Sequence, residues 1–177
     1  VLNTVSALGT GASITFGTTL SGTKDLTFTA GTGDILFTGT AGAGNVLINS
    51  AKNVTANLAF TATTITQLAG TGNTTFTGAV STVGASNTAG GLIDITTDGN
   101  IIFGSTINTT GGTAGVGNLG QNGGNVTLHS INGYIAVANT ITTSGSNGRG
   151  DAVAGQPGGN GGSVTINAGN GNVSVAA

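Results

Sequence analysis

The chain has 177 residues, of which 35 are Gly, one is Pro and none is Cys, Met or Trp, and three Lys/Arg against five Asp leave a net charge of −2. With no basic field there is no role for nucleic acid or anionic lipid as a partner, and no apolar run approaches the roughly 20 residues of a membrane span. Scarce helix formers beside abundant Thr, Asn, Gly, Val and Ile predict short strands joined by tight turns, not helix, collagen or disorder.

Taken in chain order, Ile14, Phe16, Gly17 and Leu20 match Ile101, Phe103, Gly104 and Ile107 further on, so the first of these stretches is strands two and three of an early unit. Residues 25–37, DLTFTAGTGDILF, return as residues 163–175, SVTINAGNGNVSV. Leu26 and Phe28 match Val164 and Ile166, and Ile35 and Phe37 match Val173 and Val175. Apolar residues two apart place one strand face inside and the other outside.

The clearest complete unit spans residues 90–111. Its first strand carries Ile93 and Ile95, Asp98-Gly99 turns the chain, Ile101 and Phe103 follow, Gly104 bends it, and Ile107 closes the unit. The next unit repeats this with Val126, Leu128, Ile135, Val137 and Ile141, and the last with Val164, Ile166, Val173 and Val175. These residues are the expected core. Three short strands per unit describe an all-β parallel β-helix, a solenoid of about six to seven coils in one domain. At about 4.8 Å per coil the rod would be roughly 30–35 Å long. Antiparallel hairpins are the competing arrangement, because Asn132-Gly133 is a good hairpin turn.

First strands start near Leu26, Val46, Ile65, Ile93, Val126 and Val164, so the step grows from about 20 residues to 28, 33 and 38. The added residues fall at one corner, between strand three and the next strand one. Residues 1–81 are therefore expected to be compact coils, and 82–177 coils with glycine-rich loops on one side. The chain begins without Met and stops while the pattern is running, as expected of a piece of something longer or of a subunit continued by its neighbours.

Chemistry-bearing residues are sparse. Asp94 and Asp98 could hold a cation loosely, but turn formation and solubility explain them as well. The calcium-binding nonapeptide needs an Asp in every repeat, and GGNGGSVTI has Asn and Ser instead. His129 falls where neighbouring units have Thr96 and Asn167, facing out, and Tyr134 follows a turn. No Cys, second His or Ser-His-Asp spacing supports catalysis, and no glycine-rich stretch ends as a phosphate loop does. The expectation is no enzyme and no cofactor. Arg149-Gly150-Asp151, in the longest loop, is the tripeptide integrin receptors recognise, and it also arises by accident in a glycine-rich loop. Broken Thr registers (Thr27/Thr29, Asp94/Thr96, Thr127/His129, Thr165/Asn167) weaken an ice-binding face, and one Tyr with no Trp weakens a sugar-stacking one.

The segments GGLIDITTDGNIIFGSTINTTGG, GGNVTLHSINGYIAVANTITTSG and GGNGGSVTINAGNGNVSV resemble the filamentous-haemagglutinin-like repeats of large bacterial surface exoproteins, including two-partner-secreted adhesins. The resemblance covers most of the chain, most clearly after residue 90. The family's secretion motif, with its Asn-Pro-Asn core, is not in this chain. What the resemblance implies is a right-handed β-helix serving as a secreted or cell-surface stalk, adhesin or fibre. Its partners would be flanking coils or further copies stacked end to end, and a host or neighbouring cell surface. A binding module for ice or carbohydrate on the Thr/Asn faces is the alternative.

Overall fold

Runs of alternating apolar residues, cut by Gly, Asn and Asp, fold as nineteen short strands with no helix among the described residues. The computed structural model describes residues 1–6, 10–150 and 155–176. The strands form three parallel sheets of seven, seven and five. The first sheet runs from Leu2–Asn3 through Leu26–Thr29, Asn45–Ser50, Thr64–Gln67, Ile93–Thr97 and Val126–Ser130 to Val164–Ala168. The second runs from Ile14–Phe16 to Val173–Val175, and the third from Ala41–Gly42 to Ile141–Thr142. Each strand pairs with its counterpart one coil away, so the molecule is a parallel β-helix with three strands per coil. Among the described residues antiparallel pairing is confined to two isolated bridges, Val5–Gly11 and Asn118–Arg149.

Register makes columns. Ile93 pairs with Val126 and Val126 with Val164, while Ile101 pairs with Ile135 and Ile135 with Val173. Ile93, Ile95, Ile101, Phe103, Ile107, Val126, Leu128, Ile135 and Val137 are all buried. Five expected core residues depart from this. Ile166 is only half-buried, and Val164, Val173 and Val175 are 45, 49 and 46% exposed. They belong to the last described coil, whose strands pair on one side alone, so nothing lies over their inward faces. Ile141, at the end of the third sheet, is half-buried for the same reason.

All six Phe residues form one chain of ring contacts through the core. Phe16 stacks on Phe37 at 5.0 Å, Phe37 meets Phe60 edge-on at 5.1 Å, Phe60 meets Phe76 at 5.5 Å, and Phe76 stacks on Phe103 at 5.1 Å. Phe28 joins Phe16 and Phe37 from the first sheet. Such pairs add about 0.5–1.5 kcal/mol each beyond area burial. One layer is polar. Gln67 stands in the column between Ile48 and Ile95, and its Oε1 accepts the Thr74 hydroxyl at 3.0 Å.

The described parts of the three long corner excursions, 82–92, 109–125 and 143–150 with 155–163, stack on one another as a fin. Each closes at its base by the same device. The hydroxyls of Thr82, Thr109 and Thr143 donate to the carbonyls of Gly91, Gly124 and Gly162, and the N–H groups of those glycines donate back to the Thr carbonyls. Between layers, Gly84 donates to Thr110 and Gly111 to Ser144 on the outgoing side; Gly90 donates to Asn122, Gly120 to Pro157 and Gly123 to Asn160 on the return side; and Ser146 of the third outgoing leg donates to Gln121 of the second return leg. Loops 111–124 and 145–162 thus lie against each other on one side of the rod. Their return legs carry Gly at 117, 120 and 123 and at 155, 158 and 161.

At the other end, Leu2–Asn3 is the outermost strand of the first sheet, and Val5 lies just beyond it. Val5 bridges Gly11, and Ser6 N–H donates to the Thr10 carbonyl.

Candidate functional surfaces

Polar side chains gather at the corners because only the corners leave backbone N–H groups turned out of the sheets. The residue just before each second-sheet strand forms a ladder. Asp34 accepts from the backbone and side-chain N–H of Asn53, at 3.1 and 2.9 Å. Asn53 Oδ1 accepts from Asn73 N–H, Asn73 Oδ1 from Asn100 N–H, and Asn100 Oδ1 from Tyr134 N–H, at 2.8–3.0 Å. The sequence held the signal, an Asn or Asp immediately before an inward apolar residue, and pattern reading passed over it. Beside this ladder runs a shallow groove of about 350 Å³, floored by Leu36, Thr55 and Thr75.

Asp25 and Asp98 are spent on similar contacts. Asp25 accepts from Asn45 N–H at 2.7 Å and Asn45 Nδ2 at 3.1 Å. Those hydrogen bonds, backbone first, with Lys24 adding a smaller part against a small opposing effect of burial, hold its carboxyl below the ordinary value. Asp98 accepts from Asn132 Nδ2, and Asn132 in turn accepts from Asn170 Nδ2 at 2.7 Å. Asp94 stands in the outward row Thr27, Leu47, Thr66, Asp94, Thr127, Thr165 of the first sheet. His129 pairs with Thr96 on one side and Asn167 on the other. Among the described residues no group of three His, Cys, Asp or Glu is placed to hold a metal ion, and no helix is long and apolar enough to cross a membrane.

Of the Arg149-Gly150-Asp151 tripeptide, Asp151 lies outside the described residues. Arg149 is exposed and its backbone is fixed: its N–H donates to Asn118 and its carbonyl accepts from Gly117 N–H at 2.7 Å. Asn118 is held in turn by Asn87, whose Oδ1 accepts from Asn118 Nδ2 and from Gly115 N–H. Asn87 has φ 62°, which a short polar side chain tolerates. The fin tip is thus a column of Asn87, Asn118 and Arg149, with Val116 and Leu119 exposed beside it. A second groove, of about 370 Å³, opens beneath the first excursion, where the compact coils carry no loop to fill it.

The described residues form flat polar faces, a fin and an open rod end, and bring no acid, base and nucleophile together among themselves. No family model, curated protein or solved structure matches the chain.

Proposed function

We propose that this chain is a structural module of an extracellular bacterial fibre or cell-surface adhesin, extended by continued stacking of β-helical coils. The observation that carries the reading is the open coil at Val164–Ala168 and Val173–Val175. Its inward residues prolong the apolar columns of the core, yet Val164, Val173 and Val175 are 45–49% exposed. The outer edges of both strands have no partner among the described residues. A bare edge above an apolar cross-section is a template for another coil. The spending of Asp25, Asp34 and Asp98 on ladder contacts accords with a structural role.

Light scattering and electron microscopy of the chain test this. Elongated, concentration-dependent assemblies are expected, and Val173→Asp with Val175→Asp should abolish them while the fold remains. A dilution-independent monomer with its end bare overturns the reading.

A further inference from the structure

Within the fin, each layer turns the same groups toward the layer that follows. The N–H groups of Gly111, Gly120 and Gly123 in the second layer donate to Ser144, Pro157 and Asn160 of the third. A Cβ at Gly120 would lie 2.1 Å from the Ser146 carbonyl oxygen, and one at Gly123 would lie 1.9 Å from that of Thr143. Glycine is obligatory there because the next backbone occupies the place of a side chain.

In the third layer the equivalent residues are Gly145, Gly158 and Gly161. Their N–H groups make no hydrogen bond among the described residues. A Cβ at Gly158 or Gly161 would find its nearest neighbour at 3.5 Å, an ordinary contact. The fold of this chain therefore has room for side chains at two positions that nevertheless repeat the obligatory glycines, beside three idle donors.

We propose that the outer face of the third excursion is a docking surface for a further glycine-rich excursion, carried by the coil that follows along the rod. The proposal rests on the reading that coils continue beyond this one, and it names what the next coil brings. The occupant's carbonyls accept from Gly145, Gly158 and Gly161, and its backbone passes over Gly158 and Gly161 at a distance no side chain allows. Continuity argues for it: the same surface, one layer inward, is already covered by such a leg. The N-terminal coil of another copy does not fit, because only residues 21–25 separate Leu20 from Leu26 and its corner bears no excursion. This is strand addition in which main-chain bonds bind and the absence of side chains selects.

The test uses the full chain and a synthetic peptide of residues 109–125 as probe. In NMR titration the peptide should shift the amides of Gly145, Gly158 and Gly161, and no shift at millimolar peptide overturns the proposal. Gly158→Ala with Gly161→Ala should leave the chain at least as thermally stable, since Ala restricts the unfolded state, and should weaken peptide binding at least tenfold. A marked fall in melting temperature would assign these glycines to the chain's own fold, and unchanged binding would remove the selective contact; either overturns the proposal. Val173→Asp with Val175→Asp should leave peptide binding intact, so failure of coil stacking and failure of fin docking read separately.

Discussion

The compact coils of residues 1–81 and the finned coils of 82–176 solve one problem with different materials. Five of the six contacting Phe rings, 16, 28, 37, 60 and 76, lie in the compact half and one, Phe103, in the other. Where Phe16, Phe37, Phe76 and Phe103 fill the second-sheet column, Val137 and Val175 continue it. The finned half instead gains contact outside the core, through backbone laid on backbone. A Cβ at Gly91, Gly124 or Gly162 would lie 1.6, 2.0 or 2.0 Å from a carbonyl oxygen of the layer before. The lesson is that a narrow solenoid is reinforced either by larger side chains within or by none at all without. Close Cα–H to carbonyl contacts are individually weak and become significant only in such a repeated array.

The largest test of this contrast is Ile135→Asp. It places an unpaired charge in a fully buried column and should cost about 4 kcal/mol or more. Denaturant melts followed by circular dichroism should lose the finned coils; survival of the full β signal would refute the column. Next, Phe37→Ala should cost about 3–5 kcal/mol, because it removes contacts with Phe16, Phe28 and Phe60. Val137→Ala, in the same column but removing only two carbons, should cost about 2 kcal/mol. Equal losses would erase the aromatic distinction. Gly124→Ala drives a methyl to 2.0 Å from Gly91 O and should cost about 1–3 kcal/mol by overpacking. Calorimetry that finds it neutral would mean that the layers are not in contact.

The smallest effect is electrostatic. The carboxyl of Asp25 is held below its ordinary value when folded, so its contribution is present at neutral pH and is lost as pH falls below the ordinary carboxylate range through the folded value. Asp25→Asn should flatten that part of the acid limb of a stability profile by a small margin, as the group is fully exposed. An unchanged profile would remove the Asp25–Asn45 contact from the stability of the compact half.

Strand positions were legible because apolar alternation is strict where a column must be filled, as at Ile93, Ile95, Ile101 and Phe103. The starts near Leu26, Val46, Ile65, Ile93, Val126 and Val164 share one register column. The exposure of Val164, Val173 and Val175 was not legible, since alternation records which way a side chain points and not whether anything lies over it. Gln67 escaped notice because the partner of its Oε1, Thr74, lies seven residues away on another sheet, while its buried Nε2 has no hydrogen-bond partner among the described residues. That glycine-rich loops gather on one side was legible from the lengthening steps; the backbone-on-backbone packing within the fin was not. Glycine has no side chain to pattern, and the period of three in its return legs is too short to register against the whole composition. The Thr82, Thr109 and Thr143 clasps were visible only as Thr residues a variable distance before a Gly-Gly pair.

The lengthening steps also order events in time. A coil of the compact half meets its neighbour after about 20 residues, the last finned one after 38. Loop-closure entropy charges only about 0.6 kcal/mol for each doubling of length, but the shorter loops also bring most of the aromatic rings together. Short-range contacts that bury large side chains form first in folding. The compact coils should therefore act as the nucleus on which finned coils are wound one at a time. Pulsed hydrogen exchange would detect this as protection of the Ile35 and Val54 amides, bonded to Asn53 and Asn73, before that of Ile135, bonded to Asn172. Simultaneous protection would mean that the rod forms as a single cooperative unit with no preferred starting end.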